Sequence, residues 1–328
     1  MGKKWIGWSV ALAAIAVAGL AADIAAAQTY PVRPIRMVVG FAPGGPADVM
    51  ARLIGQRMTI TLGQPIVVEN RAGAGGTIAA RYVAESEPDG YTLLLGNTST
   101  LVISPLMYKN VGYDARKAFA PIARLGTTSD ILVTNPKFPA KSLGELIVYA
   151  KANPGKLNYS TPGIGTPPHL IGEMLKLRAG VEIVHIPYKS GGQSIQAAIA
   201  GEVQFTFENP AVALPLVQGG VARALAVTSE ARHPQAPDVP TMVEAGLPDF
   251  VSVSFTGVVG PAGIPANIVA RLNSVINESL QSADVAATLT KLAVDVQPGT
   301  PAQFGAFLSE EMAEMTPVVK AAGLLGVQ

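Results

Sequence analysis

Residues 35–46 read IRMVVGFAPGGP, and the way this stretch changes character decides the fold class. A run of strand length, apolar except for Arg36, gives way to a loop of glycine and proline. Pro46 then opens a helical pattern, carried by Val49, Leu53, Ile54 and Met58, that stops near Gly63. Strand, loop and helix recur downstream. Residues 66–68 are the next strand, the loop NRAGAGGT at 70–77 feeds a second helix, and Pro88-Asp89-Gly90 turns the chain into a strand at 91–95. The rhythm restarts at 131–133. Ser142 and Glu145 have capping-box spacing, and residues 157–159 lead into STPGIGTPP at 160–168, ahead of a helix carrying Leu170, Met174 and Leu175. Further strands are expected at 183–186, 203–207, 224–227 and 255–259, and helices at 266–282 and 302–322. Such alternation is the mark of an α/β fold. No linker or composition break appears, so two lobes joined by two crossing strands are expected: residues 28–128 with 256–328, and residues 129–255.

The bulk composition removes several functions. Of 328 residues, 49% are apolar, enough for two α/β cores. Lys+Arg number 24 against 23 Asp+Glu, and the first 27 residues hold Lys3, Lys4 and Asp23, so the remainder balances. A chain without basic surplus is not built for long nucleic-acid contacts. With no cysteine, disulfides, thiolate metal sites and cysteine nucleophiles are excluded.

At the N-terminus Lys3-Lys4 precede an apolar stretch from Trp5 to Ala22, and Ala25-Ala26-Ala27 precede Gln28. The stretch has the length of a retained anchor, but the small residues fit an A-x-A cleavage site, so residues 1–27 are expected to be a secretory signal peptide. A released protein without a lipidated cysteine needs an outer membrane to confine it, which makes the periplasm the expected compartment.

GFAPGGP (40–46) and STPGIGTPP (160–168) solve one physical problem twice. Each follows a strand and starts a helix, glycine permitting the turn and proline occupying a position whose amide the helix does not use. The remaining free N–H groups and the positive end of the helix dipole form an anion site that needs no lysine or arginine. In open α/β sheets such loops lie at the carboxyl ends of strands, where ligands bind. NRAGAGGT is a rival of similar composition. None of the three has the P-loop ending or the dinucleotide fingerprint.

YPVRPIRMVVGFAPGGPAD (30–48) resembles the start of the Bug family, the extracytoplasmic solute receptors of tripartite tricarboxylate transporters. The resemblance continues through 62–95, 142–175, HIPYKSGGQSIQAAIAGEV (185–203), RALAVTSEARHPQAPDVPTMVEAGLPDF (223–250) and GPAGIPANIVARLN (260–273). It implies a two-lobed periplasmic binding protein of type II, a Venus flytrap with two crossing hinge strands, that holds one ligand carboxylate mainly through backbone amides. By position, Phe41, Ala42, Gly44 and Gly45 would shape the first half of that site. Gly163, Gly165 and Thr166 would shape the second, the Thr166 hydroxyl acting as a donor. The rest of the ligand would lie against Asn97-Thr98-Ser99, Pro187-Tyr188-Lys189 and Glu208-Asn209-Pro210. Ser190, Gln204 and Phe255 depart from the family pattern, where glycine, aspartate and tryptophan are common.

Individual residues carry finer expectations. Asp48, in the first turn after GFAPGGP, either complements the helix dipole or reaches a ligand amine, hydroxyl or water. His169 opens a helix and either caps it or faces the cleft, His185 lies in a strand, and His233 is expected in solvent. Asn209 has the position of an N-cap before Pro210, and Glu208 beside it is placed to disfavour a second bare carboxylate; Lys189 is the candidate partner for one. Phe41, Tyr188 and Phe255 are placed to sandwich a ring. No metal site, cofactor motif or nucleophile–base pattern is present. The expectation is therefore a monomeric receptor without catalytic residues. It captures a di- or tricarboxylate, amino acid or aromatic acid and delivers it to an inner-membrane permease. A periplasmic hydrolase on the same fold is the alternative.

Overall fold

The structure is a computed structural model that describes residues 30–327; the expected signal peptide, residues 1–27, lies outside the described residues. In chain order the first elements are β1 (Ile35–Val39), α1 (Pro46–Leu62), β2 (Ile66–Asn70), α2 (Thr77–Ala84), β3 (Thr92–Asn97), α3 (Ser104–Met107) and β4 (Phe119–Ser129). The middle of the chain supplies β5 (Ile131–Thr134), α4 (Leu143–Ala152), β6 (Leu157–Thr161), α5 (Pro167–Ala179) and β7 (Ile183–Pro187). It continues with α6 (Gly191–Ala200), β8 (Phe205–Glu208), α7 (Pro210–Gln218) and β9 (Arg223–Val227). The chain then returns through β10 (Val253–Pro261), α8 (Ala266–Leu280), α9 (Ala283–Lys291), β11 (Asp295–Val296) and α10 (Pro301–Ala321).

These strands form two sheets, ordered β11-β4-β10-β3-β1-β2 and β7-β6-β8-β5-β9. Each pairs a parallel half, β2-β1-β3 or β7-β6-β8, with antiparallel strands that include the crossings. The opening stretch explains its own placement. Along β1, Ile35, Met37 and Val39 enter one apolar core with α1 and α8, while Val38 enters another with α2 and α10. Period-two alternation between two apolar layers requires a nearly continuous apolar strand, which this is. The second sheet divides its faces differently. Phe205 and Phe207 of β8 join Tyr159 of β6 in the core, while Thr206 turns to the opposite face and bonds the Ser160 carbonyl at 2.9 Å.

The chain passes between sheets twice, at Asp130 and between β9 and β10. The passages are stitched together. The Asp130 amide donates to the Thr228 hydroxyl at 2.9 Å, the Thr228 amide to the Asp130 carbonyl at 2.9 Å, and the Ser252 amide to the Thr228 carbonyl at 2.8 Å. Pairing of β10 with β4 already begins at Val253 opposite Ser129, ahead of the crossing expected at 255–256.

Some elements went unforeseen. β4 carries Pro121 and Gly126 and meets β10 across two register irregularities, so its apolar residues do not alternate cleanly. The π turn at Ser99–Ile103, α3 and α9 are likewise additions to the expected order. α9 is short, and α8 stops only two residues before it begins.

Helix α5, which carries the second glycine-rich loop, is fixed by Tyr159. Its ring is fully buried and stacks on Phe205 with centroids 5.6 Å apart, and its hydroxyl donates to Glu173 at 2.9 Å. Gly172 lies against the ring, and a methyl group built there would overlap it. Gly172→Ala is therefore expected to destabilise the protein by about 1–3 kcal/mol through overpacking. The measurement is urea unfolding, and a midpoint equal to the wild type would show that the ring has room to move.

Candidate functional site

The first loop is held open by a knot of hydrogen bonds centred on Asp48. Gly44 takes φ +83, a left-handed conformation that glycine accepts without strain, and presents its amide to Asp48 Oδ2 at 2.9 Å. Arg52 grips the same carboxylate with two N–H groups, each at 2.9 Å, and Asn70 Nδ2 donates to Oδ1 at 2.9 Å and to the Phe41 carbonyl at 3.0 Å. Hydrogen bonds from Arg52, then from Gly44 and Asn70, hold the Asp48 carboxyl well below its usual range against the opposing effect of burial. Asp48 thus bonds its own loop, its helix and the end of β2. Gly45 is the N-cap of α1 and accepts no side-chain cap, while Ala42 is exposed and Phe41 half-buried against the α1 core. The rival loop packs alongside: a methyl built on Gly40 would lie 2.7 Å from the Gly76 Cα, so only glycine permits this approach. At the end of β3, Asn97 Oδ1 accepts the amide and hydroxyl of Thr100, both at 3.0 Å, and Thr98 Oγ1 accepts the Phe255 amide at 2.8 Å.

The second loop follows β6. Thr166 is the N-cap residue of α5, with Pro167 and Pro168 beginning the helix. Its hydroxyl donates to the Gly163 carbonyl at 2.7 Å; the Gly163 amide donates to Thr161 Oγ1 at 3.2 Å and the Gly165 amide to His169 Nδ1 at 3.1 Å. Two of the amides expected to face an anion are thus engaged within the turn, and Ile164 stands exposed at its tip. His169 is buried, and through its bond from the Gly165 amide its ring braces the loop. That ring stacks on His185 with centroids 4.0 Å apart, and His185 Nε2 lies 2.6 Å from Thr161 Oγ1. Burial lowers the pKa of both rings, that of His185 to about 4, where the neighbouring His169 adds to the effect.

This loop also borders the first lobe, since a methyl on Gly165 would lie 2.6 Å from Sδ and Cε of Met107 in α3. Around it, the Tyr188 hydroxyl donates to Glu202 at 3.3 Å, and Glu208 is buried at the end of β8. Asn209 caps α7, its Oδ1 accepting the Ala211 amide at 2.8 Å. Ser190 caps α6, and Gln204 Oε1 accepts the Asn158 amide at 2.7 Å, so both departures from the family pattern have local structural partners.

Two expectations fail. Phe255, 2% exposed, packs edge-on to Phe304 and Phe307 at 6.0 and 5.3 Å, because the Thr98 bond draws its strand segment into the first lobe's core. It lines no cleft. His233 is buried, not solvated, and borders a cavity of about 510 Å³ with Arg124, Asp295 and Glu311 at the flank of the crossings. One residue was overlooked: Asp130, a buried acid on a crossing strand, whose signal was its isolation between apolar neighbours and threonines in TTSDILVT.

The knot at Asp48 has a pH signature. A carboxyl with a depressed folded-state pKa stabilises the fold above its unfolded value near 4, and that contribution fades as pH falls through the folded value. Asp48→Asn is expected to melt below the wild type at pH 7, with the gap narrowing below about pH 4. Melting curves across pH check this; a gap constant with pH would remove charge from the account.

Known proteins share this architecture. The chain matches the family model described as tripartite tricarboxylate transporter family receptor over residues 50–324. Protein BugT of Bordetella pertussis is 39% identical over 310 residues, covering 94% of this chain and 95% of that protein. The structure of R. palustris Rpa4515 with adipate is 34% identical with a TM-score of 0.75, covering 90% of this chain and 99% of that one. MatC from Rhodopseudomonas palustris with bound malate is 36% identical with a TM-score of 0.72, covering 88% and 100%. With the family model matched over residues 50–324 and a relative 39% identical across 94% of the chain, this protein belongs to the family of tripartite tricarboxylate transporter receptors.

Proposed function

We propose that the protein is a periplasmic receptor that captures a small carboxylate between its lobes, releases it unchanged and delivers it to an inner-membrane permease. One observation carries the reading: each lobe ends a parallel strand in a glycine-rich loop with proline at the first turn of the next helix, and the second loop abuts the first lobe at Met107. Helix N-termini set this way favour an anion without a cationic side chain. The adipate and malate held by relatives of this family support a carboxylate as that anion. Capture by both loops is stronger in the closed than the open arrangement, and this difference is what drives closure.

The hydrolase reading finds one nucleophile-like contact, the Thr161 hydroxyl beside His185. Thr161 is fully buried and its oxygen also bonds Gly163, so a substrate has no path to it.

Titration calorimetry with a panel of mono- and dicarboxylates tests the proposal. At least one is expected to bind, and chromatography after prolonged incubation should return it intact. Thr166→Val, which removes the brace on the Gly163 carbonyl and so loosens the turn, is expected to weaken that binding by up to about tenfold, the worth of one hydrogen bond, while circular dichroism stays native. Unchanged affinity in the folded variant would move the anion site away from this loop, and a consumed ligand would restore the hydrolase.

A further inference from the structure

A carboxylate on the two loops leaves the far end of the ligand to be recognised by other groups, and two buried acids stand at the same edge of the second sheet. Glu208 closes β8 and pairs in register with Ile131, so Asp130 precedes its strand partner by one residue. Asp130 is 8% and Glu208 9% exposed. Glu208 Oε1 accepts the amide of Asn209 at 2.9 Å, but Oε2 is buried without any hydrogen-bond partner. A buried carboxylate oxygen left unpaired is costly, and such groups are retained where something arrives to satisfy them. No lysine, arginine or histidine pairs with either acid among the described residues, and Lys189, ahead of α6, is exposed.

Helix α6 begins beside Oε2 with two glycines. A methyl built on Gly191 would lie 3.0 Å from Oε2, and one on Gly192 would meet nothing within 4 Å. A side chain at 191 would crowd the carboxylate. Burial raises the pKa of both acids, that of Asp130 to about 7 with the negative charge of Glu208 adding to it. The pair thus carries unmet demand for positive charge.

We infer that Asp130 and Glu208 form a distal subsite for an ammonium group, so that the ligand is an amino acid whose carboxylate occupies the two loops. The inference rests on the carboxylate-receptor reading and narrows it. The second carboxylate of a ligand such as malate or adipate would here meet two acids without a cation to relieve it. A donor cation instead satisfies Oε2 and compensates the buried negative charge.

Calorimetry with length-matched sets tests this: 6-aminohexanoate against hexanoate and adipate, 4-aminobutyrate against butyrate and succinate, and α-amino acids against their deaminated and dicarboxylic counterparts. The amino member of at least one set is expected to bind about tenfold or more tighter than the matched dicarboxylate, as one charge-assisted bond allows. Glu208→Gln and Asp130→Asn, each checked for a native melt, are expected to erase that preference while a carboxylate still binds; Glu208→Asp, which keeps the charge, should retain it. A wild-type protein that prefers the dicarboxylate in every set overturns the inference, as does a preference that survives both neutral variants. If no member of any set binds, the carboxylate reading itself falls and takes the inference with it.

Discussion

The amides at the start of a helix have no carbonyl within that helix to bond, and both glycine-rich loops of this protein lead into such a start. In the first, Asp48 takes the Gly44 amide and is itself held by Arg52 and Asn70. In the second, His169 and Thr161 take the amides of Gly165 and Gly163. These internal acceptors fix each turn before any ligand arrives. Preorganisation of this kind lowers the entropy lost on binding, because the turn does not have to be ordered by its guest. In the proposed function the remaining donors at the helix starts meet the ligand. The groups that sequence reasoning set facing an anion therefore divide into those that would touch it and those that hold the others in place.

Much of this was legible in the chain. The change from apolar strand to glycine loop to proline-started helix is a local signal, and β1, α1, β6 and α5 fall where it put them. Asn209 before Pro210 announced its cap in the same way. Features set by distant partners were not legible. β4 lies between β10 and β11, so its irregular alternation made it unrecognisable without them. Phe255 was misplaced because its environment depends on Thr98, 157 positions away, and His233 because the cavity around it is built by β4, β11 and α10. Asp48 illustrates a middle case: the helix dipole argument was sound, but its partner Asn70 comes from a neighbouring strand.

The crossing segment unites the fold and the proposed chemistry. Asp130 bonds Thr228 through its main chain, tying the two passages together, while its side chain is one of the two acids near the end of β8. A residue that serves the hinge with its backbone and the cleft with its carboxyl would couple what sits in the cleft to where the lobes pivot. The surrounding Ser129, Thr228 and Ser252 are all buried and polar, so the pivot is held by directional bonds and not by a greasy contact that slides.

The long helix α10 packs on the first sheet through Phe304, yet farther along it Met312, Met315, Val318 and Val319 share one apolar cluster with Leu170, Met174 and Leu175 of α5 in the second lobe. Pulling α10 from α5 would wet that cluster at about 25 cal/mol for every Å² exposed. Rotation that leaves the seam dry meets no such penalty. The molecule is in effect hung at two places, the stitched strands and this oily flank, and a body hung at two places swings about the line between them.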